Sequence, residues 1–390
     1  MRNTAYLDWN ATAPLLPEAR EAVIAALDMP GNASSVHRAG RSARAVIDKA
    51  RDQVAKLAGA SASNVIFFSG ATEAANAVLS PRFKMGRAPL KLSKLYVSET
   101  EHPAILEGGR FERDDVVRIP VDGNGVVELT ALAEALSAHD RSGGLPMVAV
   151  QAANSESGVV QPINAIARLT HDHGGIFVCD AVQAAGRMPL DIEALDIDFM
   201  ILSAHKIGGP KGVGALVSRG EVMMPEPLVR GGGQEKGHRA GTENIAAIAG
   251  FGAAAAFHAA GLEARVAEIK AKRDLLEGAF KAAAADILIH GEAVDRLCNT
   301  SFFSLPGFKS ETGQIAFDLE GIALSSGSAC SSGKVGESHV LKAMGKDASL
   351  GALRISIGVS TTDEEIEAAM AAFEKINVRR LAAANAGAAA

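Results

Sequence analysis

Between Val65 and Ser218 the chain alternates short apolar runs with longer stretches of helical spacing. The runs are "VIFFSG", "LYVSET", "MVAVQAAN", "IFVCDA", "FMILSAHK" and "VGALVS". They are apolar at nearly every position, as strands are when helices cover both faces, and their alternation with helical segments predicts βαβ units feeding a mostly parallel sheet. The first five give way to small or polar residues, so ligand chemistry is expected at those carboxyl ends. After "GTENIAAIAG" an Ala-rich, charge-punctuated stretch to about Ala285 predicts one long helix or two. The pattern then changes to "DILIHG", "NTSFFSLPG", "IALSSGSA" and "LRISIG", with helices around Glu311 to Asp318 and Thr362 to Ile376, which predicts a smaller α+β domain. The tail "LAAANAGAAA" carries no apolar stripe and is expected to fray.

Composition narrows the class. A chain of 390 residues that is 48% apolar is long enough for two domains and a substantial core. The formal charge of −6 is dispersed in both signs, which leaves no basic patch to track a phosphate backbone and argues against nucleic-acid binding. The opening "MRNTAYLDWN" lacks the apolar core of a signal peptide, and no apolar run has the length of a membrane span. Cys179, Cys298 and Cys330 are odd in number and too far apart for a metal knuckle, so free thiols in a reducing cytoplasm, with no metal site, are expected.

The segment "ILSAHKIGGPKGVGAL" ends a buried strand on His205 and Lys206. Most lysines are solvated surface charges. One that follows a buried strand in a site-forming loop is partly desolvated, which favours the neutral amine as a nucleophile toward a carbonyl. A lysine bound to pyridoxal phosphate would need a phosphate cradle, a carboxylate for the pyridinium nitrogen and a group facing the ring. Each has a candidate at a strand end, and each candidate has a plainer reading. Ser69 to Thr72 lie between a strand and a helix whose first N–H groups would point at an anion, or they form an ordinary cap. Asp180 would hold the ring nitrogen protonated, or cap the helix after it. Gln183 would reach the phenolic oxygen, or complete a capping box. His102 would stack on the ring and shuttle protons, or open a helix before Pro103. Four strand ends meeting four requirements favour the cofactor reading.

The ordered segments "YLDWNATAP", "GNASSVHRAG", "FFSGATEAAN", "TEHPAIL", "NSESGVVQPI", "DAVQAAG", "SAHKIGGPKGVGAL", "GGGQEKGHRAGTEN", "SSGSACSSG" and "LRISIG" resemble, nearly end to end, a cysteine desulfurase of the NifS/IscS type. The resemblance implies the fold type I of pyridoxal-phosphate enzymes. A large domain at 15–255 would carry a mostly parallel seven-stranded sheet, and a small α+β domain would combine 1–14 with 256–390. Lys206 would bind the cofactor covalently. Ser203, His205, Thr72 and the backbone of Ala71 would hold its phosphate, and His102, Asp180 and Gln183 its ring. Asn154 would contact cofactor and substrate, and Arg354 would pair with the substrate carboxylate, a role suited to a guanidinium fork. Thr242 would reach the phosphate of the neighbouring subunit, which implies a homodimer.

Cys330 distinguishes a desulfurase from other enzymes of this fold. Its surroundings, "SSGSACSSGKVGES", have the small, polar, glycine-punctuated composition of a surface loop, whereas Cys179 and Cys298 sit in or beside strands. In the family this cysteine attacks the sulfur of cofactor-bound L-cysteine, leaving alanine and an enzyme persulfide for an iron–sulfur scaffold or another acceptor protein. The chain departs from the family pattern at Ala33, where proline is common, and at Ala152 and Ser155 in "QAANSESG". A selenocysteine lyase or an aminotransferase would share Lys206 and Asp180, though a transaminase has no use for Cys330. A silent scaffold protein would not need Lys206 or Asp180, and the glycines of "GGPKG" and "GGGQ" fit neither dinucleotide nor Walker spacing.

Overall fold

Strand register carries the candidate residues to one edge of a large sheet. The computed structural model describes residues 4–327 and 337–388. Seven strands lie in the order Val116–Ile119, Ala88–Ser98, Leu145–Gln151, Ile176–Asp180, Phe199–Ser203, Gly214–Ser218 and Val65–Phe68. Only Gly214–Ser218 runs against its neighbours. Gln151 pairs with Asp180, and Asp180 with Ile201, so their carboxyl ends align. Two further strands, Arg82–Met85 and Met223–Pro225, extend the sheet antiparallel beyond the start of Ala88–Ser98. They and Val116–Ile119 escape the apolar-run pattern because they are short and partly exposed.

Alternate residues of each central strand enter different cores. Phe67, Val148, Val150, Phe177, Met200 and Leu202 pack with the helices Pro17–Leu27, Arg38–Ala58, Leu129–Ser137, Ile163–Asp172 and Ile245–Ala259. Ile66, Phe68, Met147, Val178, Phe199 and Ile201 pack instead with Ala71–Val78 and Pro103–Leu106. The helix Arg38–Ala58 shows why: its buried Ala43, Ile47, Ala50 and Val54 recur every three or four residues and form one stripe.

The second sheet is antiparallel, in the order Leu288–Ile289, Thr300–Ser304, Leu353–Ser356 and Ser325–Ser326. Phe280 stacks on Phe373 with centroids 4.0 Å apart, and Ala5 and Leu7 join the same core. The N-terminal strand Ala5–Tyr6 pairs with Ile322–Ala323, and the chain then runs from this core toward the large sheet. The Ala-rich stretch forms two helices, Ile245–Ala259 and Leu262–Ala283, bent by 81°. Among the described residues no single helix is long and apolar enough to cross a membrane. The expected fraying of the tail is corrected: the helix Asp363–Ala388 includes most of it, in keeping with the high helix propensity of alanine.

Candidate active site

The carboxyl ends of the strands open into a cavity of about 470 Å³ lined by Ala71, Thr72, His102, Asp180, Gln183, Ser203, His205 and Lys206. Residues far apart in sequence meet here because their strands are neighbours. Lys206 leaves its strand in a tight turn closed by Gly209 N–H to Ala204 C=O at 2.9 Å. Gly208 in that turn has φ +77°, and a Cβ there would lie 2.5 Å from Leu16 Cγ, so glycine is required. The Lys206 ammonium donates to the carbonyls of Asn10 at 2.6 Å and Ala11 at 2.9 Å. The N-terminal segment thus forms one wall of the site.

Asp180 lines the floor, with Oδ1 accepting the Val182 N–H at 2.9 Å. Burial pushes its carboxyl up to about 6, against the pull of the Val182 N–H and the nearby Lys206 charge. Glu101, wholly buried behind it, is pushed well above the carboxylate range by burial and by Asp180. Its Oε1 accepts the Gln151 N–H, and its Oε2 has no hydrogen-bond partner among the described residues. A cation placed against Asp180 would relieve both acids.

His102 accepts the Ala104 N–H on Nδ1 at 3.1 Å, which places its proton on Nε2. Burial, with Lys206 and His339 nearby, lowers its pKa to about 4, so the ring is neutral near pH 7. His205, also lowered to about 4 by burial, Lys206 and Lys211, shares a hydrogen bond between Nδ1 and the Thr12 hydroxyl at 3.1 Å.

The cradle end is built from the helix Ala71–Val78. Its first internal bond is Ala74 N–H to Gly70 C=O, which leaves the N–H groups of Ala71, Thr72 and Glu73 at the helix end for an anion. A Cβ on Gly70 would meet nothing within 4 Å, whereas one on Gly214 would lie 2.7 Å from the Gly70 carbonyl carbon. The strand Gly214–Ser218 therefore presses directly against the cradle, and the space in front of it is open. A phosphate at this helix end, a pyridinium against Asp180 and an aldehyde at Lys206 suit the residues present.

Three expected site residues do not line this cavity. Asn154 is buried and its carboxamide is committed: Oδ1 accepts the N–H groups of Glu156 and Ser157, and Nδ2 donates to Thr100 C=O at 2.9 Å. Arg354 is 1% exposed and pairs with Asp8 at 2.7 Å and with Ser155 C=O at 3.0 Å, behind the wall. Thr242 is exposed and lines a neighbouring cavity that shares Ser69, Gly212 and Val213 with the first. Its loop is held by ion pairs that include Arg51 with Glu235 and Arg239 with Glu73. Cys330 lies outside the described residues. Cys179 and Cys298 are buried, and burial raises both thiols, Cys179 well above the ordinary range, which disfavours the reactive thiolate at either one.

Sequence reasoning gave no role to Asn10, or to Glu156, which it noted only as a residue kept from the family motif around Asn154. Asn10 donates to Ser155 C=O and Thr300 Oγ1 and offers its carbonyl to both Lys206 and Gln183. Only its place in "YLDWNATAP" hinted at this. Glu156 is 2% exposed, accepts the Ser338 hydroxyl at 2.6 Å and is raised to about 7 by burial, against the pull of Ser338 and Arg354.

Between about pH 4.5 and about pH 7 the folded protein therefore keeps a proton on Glu156 that the unfolded chain has lost, so this group's contribution to stability falls as pH rises. Glu156→Gln mimics the protonated acid. Its stability relative to the parent should rise by up to about 3 kcal/mol across that range. Urea denaturation at both ends of the range measures the difference, and a pH-independent difference would contradict the assignment.

Residues 5–369 match the model of the family "Aminotransferase class-V". The chain is 38% identical over 394 residues to an IscS-like cysteine desulfurase of Mycobacterium tuberculosis, covering 98% of this chain and 99% of that one. It is 40% identical over 370 residues to a cysteine desulfurase of Cereibacter sphaeroides, covering 93% and 92%. The solved structure of a NifS-like protein from Rickettsia africae superposes with a TM-score of 0.85 at 35% identity, over 96% of this chain and 99% of that one. The chain belongs to the class-V aminotransferase family and, within it, to the cysteine desulfurases of the NifS/IscS type.

Proposed function

We propose that this chain converts L-cysteine to L-alanine, using pyridoxal phosphate at the Lys206 cavity and passing the sulfur to Cys330. The observation that carries this reading is the meeting of Lys206, Asp180, neutral His102 and the open end of the helix Ala71–Val78 in one cavity. When bound, the cofactor supplies an electron-withdrawing ring that stabilises negative charge on the substrate's α-carbon. Lys206 forms the covalent link to it and moves protons at that carbon. Ala71, Thr72, Ser203 and His205 bind its phosphate, Asp180 pairs with its ring nitrogen, and Gln183 donates to its phenolic oxygen. His102 covers the ring and carries a proton on Nε2.

Arg354 binds the substrate carboxylate, exchanging part of its contact with Asp8, and Asn154 orients the wall between them. The substrate's Cβ–S bond breaks as the Cys330 thiolate attacks sulfur. The new S–S bond is the persulfide, and the carbon takes a proton to become the alanine methyl group. The reading is supported by the relatives named as cysteine desulfurases at 35–40% identity and by a solved SspA complex with cysteine, 26% identical with a TM-score of 0.74. The persulfide then serves an iron–sulfur scaffold or another sulfur acceptor in the cytoplasm. The test is turnover: the purified protein loaded with pyridoxal phosphate should release alanine from L-cysteine in step with persulfide or sulfide. Pyruvate and ammonia in place of alanine would contradict the assignment.

The working unit is a homodimer in which Thr242 reaches the partner's phosphate site. It is exposed on its own chain, on a loop pinned by the Arg51–Glu235 and Arg239–Glu73 pairs. Refolded mixtures of inactive Thr242→Ala and Lys206→Ala chains should regain activity in the heterodimer, where one of the two sites is intact. Heterodimers that form and stay inactive would remove Thr242 from a shared site.

A further inference from the structure

Arg187 is a buried guanidinium, 8% exposed, whose hydrogen-bond partners are all uncharged. One terminal nitrogen donates to the Gln183 side-chain oxygen and to the Gln183 backbone carbonyl at 3.0 Å. The other donates to the carbonyls of Trp9 at 3.5 Å and Lys206 at 3.3 Å. Among the described residues it forms no ion pair with a carboxylate. Burial lowers its pKa to about 10. A lone buried charge is costly, and a well-packed apolar side chain would serve a purely structural role here at lower cost. Its place suggests a different role, because the same planar fork grips the residue expected to face the cofactor's phenolic oxygen and the backbone of the lysine expected to bind it.

The carboxamide of Gln183 has an accepting end and a donating end, and arginine only donates. Arg187 therefore fixes the oxygen away from the cavity and turns Nε2 toward it. Nε2 donates one hydrogen to Asn10 C=O at 3.1 Å, and its second N–H remains for a ligand. With the amide reversed, an oxygen would face that ligand beside the Asn10 carbonyl, and two acceptors would repel an anionic oxygen. We propose that Arg187 is a positioning residue, which holds Gln183 as a donor to the phenolic oxygen of a pyridoxal ligand and anchors the Lys206 turn through its carbonyl. This rests on the cofactor reading given above.

The test compares Arg187→Met, Arg187→Lys, Gln183→Ala and the double variant Arg187→Met/Gln183→Ala, each loaded with pyridoxal phosphate. The pH midpoint of the cofactor's visible band is the readout. A hydrogen bond to the phenolic oxygen favours the form that has lost its proton, so losing it should raise the midpoint by about one unit, the size of one charge-assisted hydrogen bond. Asp180, Lys206, Lys211, His102 and His205, the other titratable groups lining the cavity, are unchanged in every variant. Arg187→Met and Gln183→Ala should give similar rises, and the double variant should add no further rise because both act through one contact. An unchanged midpoint in Arg187→Met, or shifts that add in full, would overturn the proposal. Arg187→Lys keeps a head group that only donates, so where it reaches the Gln183 oxygen it should restore most of the parent midpoint, and Arg187→Leu serves if the methionine variant does not fold. Crystal structures of the cofactor-free parent and Arg187→Met, or Arg187→Leu in its place, give a second readout that needs no cofactor, with the amide orientation read from the partners of its two ends. The Gln183 amide should be turned or disordered in the variant, and an amide left in its parent orientation would overturn the proposal even if the parent binds no pyridoxal phosphate.

Discussion

Lys206→Ala should leave a folded protein that forms no covalent link to pyridoxal phosphate and has lost turnover by about a thousandfold or more. On the proposed function the side chain has two roles at one atom, bonding to the cofactor and moving protons at the substrate's α-carbon. Among the described residues the other amine lining the cavity is Lys211, which lies on the exposed stretch after the turn. Folding should survive, because the bonds lost include donations to the Asn10 and Ala11 carbonyls, which face the cavity and are open to water in the variant. The stability change should then be about 1 kcal/mol. Phosphate contacts at Ala71, Thr72, Ser203 and His205 should retain some cofactor without a covalent bond. A variant with near-normal turnover would remove Lys206 from the chemistry.

Cys330→Ala should separate the two halves of the reaction. On the proposed function the cofactor half depends on Lys206, His102, Asp180 and Arg354, all untouched, so the variant should stay yellow and change its spectrum on addition of L-cysteine. Sulfur abstraction needs a thiolate, and burial keeps Cys179 and Cys298 from supplying one. Persulfide should therefore be absent and alanine release should fall by at least about a hundredfold. Cys179→Ala and Cys298→Ala should keep activity where they fold. Near-normal alanine from Cys330→Ala would instead favour a lyase mechanism, in which elimination needs no protein thiol.

The strand ends were legible because covered strands are apolar at every position, so the residue at which the pattern breaks marks the site. Asp180 and Lys206 were singled out in that way, and His102 and Thr72 by their place just beyond such a break, whereas the role of Ser203 came through family resemblance. The same rule could not find Asn10, which reaches the cavity from an N-terminal segment with no apolar run, or Glu156, whose role depends on a contact with Ser338 182 positions away. Arg354 and Thr242 were named only through family resemblance. The structure sets Arg354 behind the cavity wall, paired with Asp8, and Thr242 on an outward loop. The strands Arg82–Met85, Val116–Ile119 and Met223–Pro225 were missed for a different reason. Each has four residues or fewer, too short for its composition to differ from a loop, and Arg82–Met85 is also largely exposed.

The central claim is that the cavity at the carboxyl ends of Ile176–Asp180 and Phe199–Ser203 binds pyridoxal phosphate through Lys206. Borohydride reduction of the loaded protein, followed by proteolysis and mass spectrometry of the peptides, tests it most directly. The account predicts a single pyridoxyl-bearing peptide with the modification on Lys206. Modification on Lys211 or any other lysine, or no modified peptide from a yellow protein, would contradict it.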